Sequence, residues 1–346
     1  MRKLVFTILI LSAFVIPTYA SEFNTDDIPE SAEIYLHEDP SSFWKDLQRV
    51  VMSALMDLRP DLAEITMVCA KMIGITLLGA ILSQFSLSSR FVSRLAVVIS
   101  IGLLMFNSGH SLIELGEDTV REISEYGKIL LPVLTSSLAA QGAVSTSTVL
   151  YTGTALFTSL LNAAVSRLLI PLLYLYLCIC IGNSLLADET LKRIRAFLKW
   201  LLTWTLKIIL YMFTGYMSIS GVISGTVDAS TLKATKLVIS GVVPVVGNIL
   251  SDASETILLS TGMIKNSVGS YGIVVLMTLL IGPFLKIGLH YVLMKLTTAV
   301  CAVFAGDEIT KLIEDYSSAM GYVLAMTGVS CVLLLIGIVC MMKGAG

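Results

Sequence analysis

Leu130-Leu131-Pro132-Val133-Leu134 and, 112 positions later, Val242-Val243-Pro244-Val245-Val246 decide how this chain is read. A second proline follows each copy at a matching interval, Pro171 in Leu168-Leu169-Ile170-Pro171 and Pro283 in Leu280-Ile281-Gly282-Pro283. Each copy then closes on a similar acidic–basic phrase, Ala187-Asp188-Glu189-Thr190-Leu191-Lys192 and Gly306-Asp307-Glu308-Ile309-Thr310-Lys311. Paired hydrophobic units broken by Pro and Gly at corresponding positions point to a transporter-like or channel-like membrane core. Pro132, Pro171, Pro244 and Pro283 are the expected helix breaks of this internal repeat.

The surroundings of the repeat are lipid-like. The chain is 55% hydrophobic and 14% charged, with mean hydropathy +0.86, whereas a soluble domain carries roughly 25% charged residues. The composition lacks the polar shell that a water-soluble core of this size requires, so the expected class is all-α and polytopic. The net charge of −2 and the lack of a basic stripe offer nothing to nucleic acid.

Residues 1–20 have the build of a signal peptide: Arg2 and Lys3, an apolar run from Leu4 to Ile16, then Pro17 before Thr18-Tyr19-Ala20. The apolar run is shorter than the ~20 residues a spanning helix needs. Cleavage after Ala20 and retention as an anchor both remain open. Residues 21–61 carry ten carboxylates against Lys45, Arg49 and Arg59. A Lys/Arg-poor flank belongs on the exported face. Within it, Phe43, Trp44, Leu47, Val50, Val51, Leu55 and Leu58 recur at helical spacing and predict an amphipathic surface helix.

Basic residues then order the spans. Residues 62–89 hold a first span, Ala63 to Phe85, followed by Arg90 and Arg94. A second, from Leu95 to about Leu112, emerges into the acidic stretch Glu114 to Lys128, expected outside. The cluster Lys192, Arg193, Arg195 and Lys199 is expected inside. Between them an odd number of crossings is needed. A re-entrant hairpin from Ile129 to Val165 followed by one crossing satisfies that parity, as do three tight crossings. The first repeat occupies 90–194, the second 195–316 with a hairpin from Val238 to Val268, and a last span fills 317–346. The expectation is about six full crossings, two Pro-interrupted hairpins and both termini outside.

The hairpins differ in polarity. The first is neutral, with Gln141 near its tip. The second carries Asn248, Asp252, Glu255, Lys265 and Asn266. Asp252 and Glu255 lie three apart, on one face of a helix. Ionisable groups at membrane depth mark functional sites by default, while a solvated loop capping the next helix explains the same residues. Lys71, Lys207, Lys286 and Lys295 interrupt apolar runs and read as snorkelling side chains, with Lys286 best placed to point inward. The six cysteines sit in apolar runs and read as small buried hydrophobes. His37, His110 and His290 are isolated, no His-Glu-x-x-His occurs, and no Gly-rich phosphate loop with lysine is present. No enzyme and no cofactor is expected.

Asp228, Thr235-Lys236, Val243-Pro244-Val245-Val246-Gly247, Ser251-Asp252-Ala253-Ser254-Glu255-Thr256 and Ile264-Lys265-Asn266-Ser267-Val268-Gly269 together resemble the stage III sporulation protein AE family. Leu131-Pro132-Val133-Leu134 and the small-residue run Leu138 to Val144 agree with that family, as does a signal peptide followed by an acidic segment with Phe43-Trp44. The resemblance covers nearly the whole chain, with a shorter exported part than the family's. It implies a multi-pass component of the mother-cell membrane around the forespore, working with other membrane proteins of a trans-envelope channel complex. Three roles stay open: a channel component, a self-sufficient permease using Asp252, Glu255 and Lys265, and a structural anchor.

Overall fold

The computed structural model describes residues 43–82, 87–140, 144–186, 188–219 and 267–344. Among them every element is helical. In chain order these are α1 (Phe43–Leu82), α2 (Leu87–Ala140), α3 (Val144–Ala164), a π turn (Val165–Leu169), α4 (Ile170–Leu186), α5 (Glu189–Ile219), α6 (Ser267–Cys301) and α7 (Asp307–Gly344). Six stretches are long and apolar enough to cross a membrane: Leu47–Leu82, Val92–Ser136, Ser147–Leu186, Glu189–Ser218, Tyr271–Cys301 and Asp307–Met342. The chain is a multi-pass membrane protein by length and composition, and six is the number the sequence predicts.

The helices are longer than the predicted spans. The amphipathic helix and the first span expected from the sequence form one helix of 40 residues that passes through Pro60. The boundary expected at residue 61 therefore lies inside α1. Likewise, α2 runs 54 residues without interruption and contains Pro132, about 80 Å at 1.5 Å per residue. The sequence reading ends a span near Leu112 and treats Glu114 to Lys128 as an exit. In α2 that stretch is amphipathic: Glu114, Arg121, Glu122, Glu125 and Lys128 are exposed, while Thr119, Val120, Ile123, Ser124 and Tyr126 are buried. The charges sit on one face of a helix that keeps its apolar stripe, so nothing stops it. The Ile129 to Val165 segment comprises the far end of α2 and all of α3, which pack against one another.

Prolines survive inside these helices for a local reason. Pro60, Pro132 and Pro171 all lie on exposed faces, where the freed carbonyl bends outward and the helix curves instead of ending. Pro283 is half-buried within α6, which also continues past it. Pro171 is preceded by the π turn at Val165–Leu169, closed by Ile170 N–H donating to the Val165 carbonyl. A proline ring clashes with the carbonyl four residues back, here that of Arg167 inside the wider turn.

α7 is the axis of the bundle. Positions 319–335 are buried on every side, the pattern of a helix apolar all round and enclosed by others. α2, α3, α4, α5 and α6 all pack on it, and α1 packs on α6 and α2. Between membrane helices there is little hydrophobic drive, so close backbone approach matters. A Cβ on Gly109 would stand 3.0 Å from the Tyr316 ring, and one on Gly116 would collide with Val323 Cγ1. Both pairs are seven residues apart on their helices, so α2 and α7 stay in register over two turns.

The ends of the bundle are well defined. At one end Ser93 Oγ donates to the Gly79 carbonyl (3.2 Å), and Cys301 Sγ lies 3.9 Å from Thr76 Oγ1. At the other, Tyr126 Oη donates to the Gly272 carbonyl (3.0 Å) and Tyr216 Oη to the Val149 carbonyl (2.9 Å).

Candidate functional site

Of the residues singled out from sequence, Asn248, Asp252, Glu255, Lys265, Asn266, Gln141 and Pro244 lie outside the described residues. The ionisable groups that the described bundle brings together are different ones, and they surround the first three turns of α7.

Three of the four acidic side chains there, Glu308, Glu314 and Asp315, each meet a base from a different helix. Glu308 Oε1 lies 3.6 Å from Arg94 Nη1 of α2. The same guanidinium donates from Nη2 to the Ser184 carbonyl at the end of α4 (2.8 Å), and Ser184 Oγ donates to the Glu308 carbonyl (3.2 Å). Glu314 Oε1 lies 3.6 Å from Lys295 Nζ of α6. Asp315, the most enclosed of the three, pairs with Arg195 of α5, with side-chain exposures of 12% and 23%. Tyr176 Oη of α4, fully buried, donates to the other Asp315 oxygen at 3.1 Å.

Two turns further along α7, Tyr322 Oη is hydrogen-bonded to Thr203 Oγ1 (3.2 Å) and reaches the Lys199 carbonyl (3.3 Å). Its ring meets Tyr176 edge-on, with centroids 6.4 Å apart. One polar seam thus ties α4, α5 and α7.

Tyr316 points the other way. Its hydroxyl is 3.0 Å from His290 Nε2 of α6, both buried, with the rings edge to face at 5.7 Å. Gly109 of α2 makes room for the tyrosine. On the outer side of α6, Lys286 Nζ is 2.8 Å from Asp61 Oδ1 of α1, with the lysine side chain 39% exposed. The inward position expected of Lys286 is therefore a half-buried ion pair. Lys295 is also paired, Lys207 is half-buried and Lys71 is exposed. Five of the six cysteines are buried, and Cys178 is exposed. Among the described residues, no three of His, Cys, Asp and Glu come together as a metal-binding group.

Chemically the arrangement is a set of clamps. Removing one member of a buried pair leaves the other charge uncompensated, which is costly, while the intact pair fixes register. From sequence Arg195 reads as one of a basic cluster and His290 as isolated, and Asp315 carries no site signal of its own. Arg195 carries a signal that periodicity detects: with Leu198, Leu202, Leu206, Ile209 and Phe213 it completes the buried stripe of α5. Asp315 lies likewise among Leu312, Ile313, Tyr316 and Ala319, all buried.

Comparison with known proteins places this bundle. No solved structure matches the chain. A curated relative, stage III sporulation protein AE of Bacillus subtilis (strain 168), is 22% identical over 247 residues, covering 70% of this chain. The match spans 62% of that relative's own length. The family profile described as stage III sporulation protein AE matches residues 41–345, from the start of α1 past the end of α7, and the chain belongs to that family.

Proposed function

We propose that the protein is a membrane-embedded, non-enzymatic component of a trans-envelope complex between mother cell and forespore, needed for forespore development. Other membrane proteins of that stage of sporulation are its partners. The family supplies the sporulation context. The observation that carries the mechanism is α7: its side chains fill the axis of the bundle, and Glu308, Asp315 and Glu314 of its first turns are paired with bases of α2, α5 and α6. Among the described residues, the middle of the bundle is occupied by protein. Passage between compartments therefore belongs to surfaces shared with partners, and the clamps serve to hold those surfaces rigid.

On this reading the signal peptide delivers residues 21–61 to the exported side, where they meet those partners. On the same reading 90–194 and 195–316 are the two halves of an internal repeat. A self-sufficient permease instead requires Asp252, Glu255 and Lys265 to bind cargo. Strains carrying Asp252→Asn, Glu255→Gln and Lys265→Met together separate the two, scored by sporulation efficiency, late forespore gene expression, membrane level and partner co-purification. The proposal expects sporulation to fall only as far as co-purification falls. A variant present at normal level and fully assembled, yet unable to sporulate, overturns it in favour of a cargo site of the chain's own.

A further inference from the structure

Contacts between helices fix which residues share one depth along the bundle. Gly116 of α2 faces Val323 of α7, and Gly127 of α2 faces Leu334 of α7 and Thr158 of α3. Thr203 of α5 is hydrogen-bonded to Tyr322 of α7. Phe213 of α5 meets Phe157 of α3 edge-on, with centroids 5.5 Å apart. Residues 116–127 of α2 are therefore level with residues 203–213 of α5 and, on α3, with the turns around Phe157 and Thr158.

At that depth the sides of the bundle differ in chemistry. Trp204, Ile208 and Met212 of α5 and Leu156 and Leu160 of α3 are exposed. The only charge on those two stretches is Lys207, which is half-buried. On α2, by contrast, Glu114, Arg121, Glu122, Glu125 and Lys128 are exposed, with Glu117 and Asp118 half-buried between them. The exposed polar face of α2 runs from Asn107 to Lys128, about 32 Å at 1.5 Å per residue. That equals the ~30 Å thickness of a bilayer's hydrocarbon core.

We propose that this face of α2 is the wall of an aqueous path at membrane depth, while α3 and α5 face lipid at the same depth. An ionisable side chain at such a depth faces protein or a water-filled cavity, not acyl chains. Charge decides between protein and water. Five carboxylates stand along the face against Arg121 and Lys128, and Arg121 is engaged by Asp118 at 2.7 Å. A dry protein cover would strip water from an unbalanced set of charges, and the cost is offset only where each charge is paired and hydrogen-bonded. Water covers the face without that cost. The inference deepens the reading that passage belongs to surfaces shared with partners, and rests on it only for what moves along the face.

The test labels single cysteines with a charged methanethiosulfonate reagent in opened membranes of sporulating cells. The background is Cys178→Ala, because the other five cysteines are buried. Glu114→Cys, Glu122→Cys and Glu125→Cys report the α2 face. Leu156→Cys, Leu160→Cys and Ile208→Cys report the same depth on α3 and α5, and all six are compared at equal membrane level. The thiolate is the reacting form and forms in water, so labelling should be at least about 100-fold faster on α2. Fast labelling at all six positions overturns the inference, since the whole depth then lies in water. Slow labelling at all six overturns it too, and assigns the α2 face to a dry protein partner. Glu122→Trp separates this inference from the passage reading: it narrows the path without touching the clamps and should lower sporulation. Normal sporulation by that strain, with fast labelling on α2, refutes passage along the face and leaves the face wet.

Discussion

Asp315 is the residue on which the packing of α4 and α5 against α7 converges. Its carboxylate accepts from Tyr176 and pairs with Arg195. Asp315→Asn keeps the shape and strands the guanidinium, whose side chain is 23% exposed. The expected loss is about 3 kcal/mol, the lower end for breaking a buried pair because water still reaches the arginine. Adding Arg195→Gln should restore at least half of that, since no lone charge is then left. Tyr176→Phe removes only a hydrogen bond to a charged group, about 2 kcal/mol. Unfolding of the detergent-solubilised protein by heat or denaturant measures all three. A double variant as unstable as the sum of its singles would mean that the pair is not coupled. Neither partner was legible as a site from sequence, for a physical reason. A charge near the end of an apolar run reads as an interfacial residue, and only its place in a buried stripe of 3.6-residue period reveals that it points inward.

The length of the elements is set by faces rather than by charge counts. Glu114 to Lys128 breaks the hydropathy of α2 but not its stripe, because Val120, Ile123 and Tyr126 continue the buried line to Leu130 and Leu134. The sequence reading stopped at the charges since a lipid-facing span cannot carry them. A helix flanked by protein on one side and water on the other can. The six crossings were legible, because apolar runs of sufficient length survive any assignment of faces. The continuity of α1 through Pro60 and of α2 through Pro132 was not, because proline on an exposed face curves a helix that sequence rules would end. Spin labels at Leu103→Cys and Ile129→Cys, both exposed positions, should sit about 39 Å apart between backbones at 1.5 Å per residue. Pulsed electron–electron resonance reads that spacing. A distance under about 30 Å would mean that α2 folds back between the two sites, as a re-entrant hairpin would require.

At the scale of the molecule the acidic start of α7 looks out of place. Asp307, Glu308, Glu314 and Asp315 share one end of the bundle with the chain's most basic loops, and the residue-counting rule offers only Lys311 nearby in sequence to hold them inside. The fold resolves the conflict through space: Arg94, Arg195 and Lys295 come from three other helices to meet Glu308, Asp315 and Glu314. Three of the four carboxylates are spoken for, and Arg193, Lys199 and Lys311 stay exposed at the same end. That end should therefore face the cytoplasm, with the α2–α3 tip and the α7 C-terminus on the exported side. Impermeant maleimide labelling of intact cells tests this, in a Cys178→Ala background because Cys178 is exposed while the other five cysteines are buried. Glu125→Cys on the outer face of α2 should label in intact cells. Lys192→Cys at the start of α5 should label only after the membrane is opened. The reverse pattern would invert the whole bundle, since α2 to α6 pack on α7 and α1 packs on α6 and α2, and would place the clamps at the exported face.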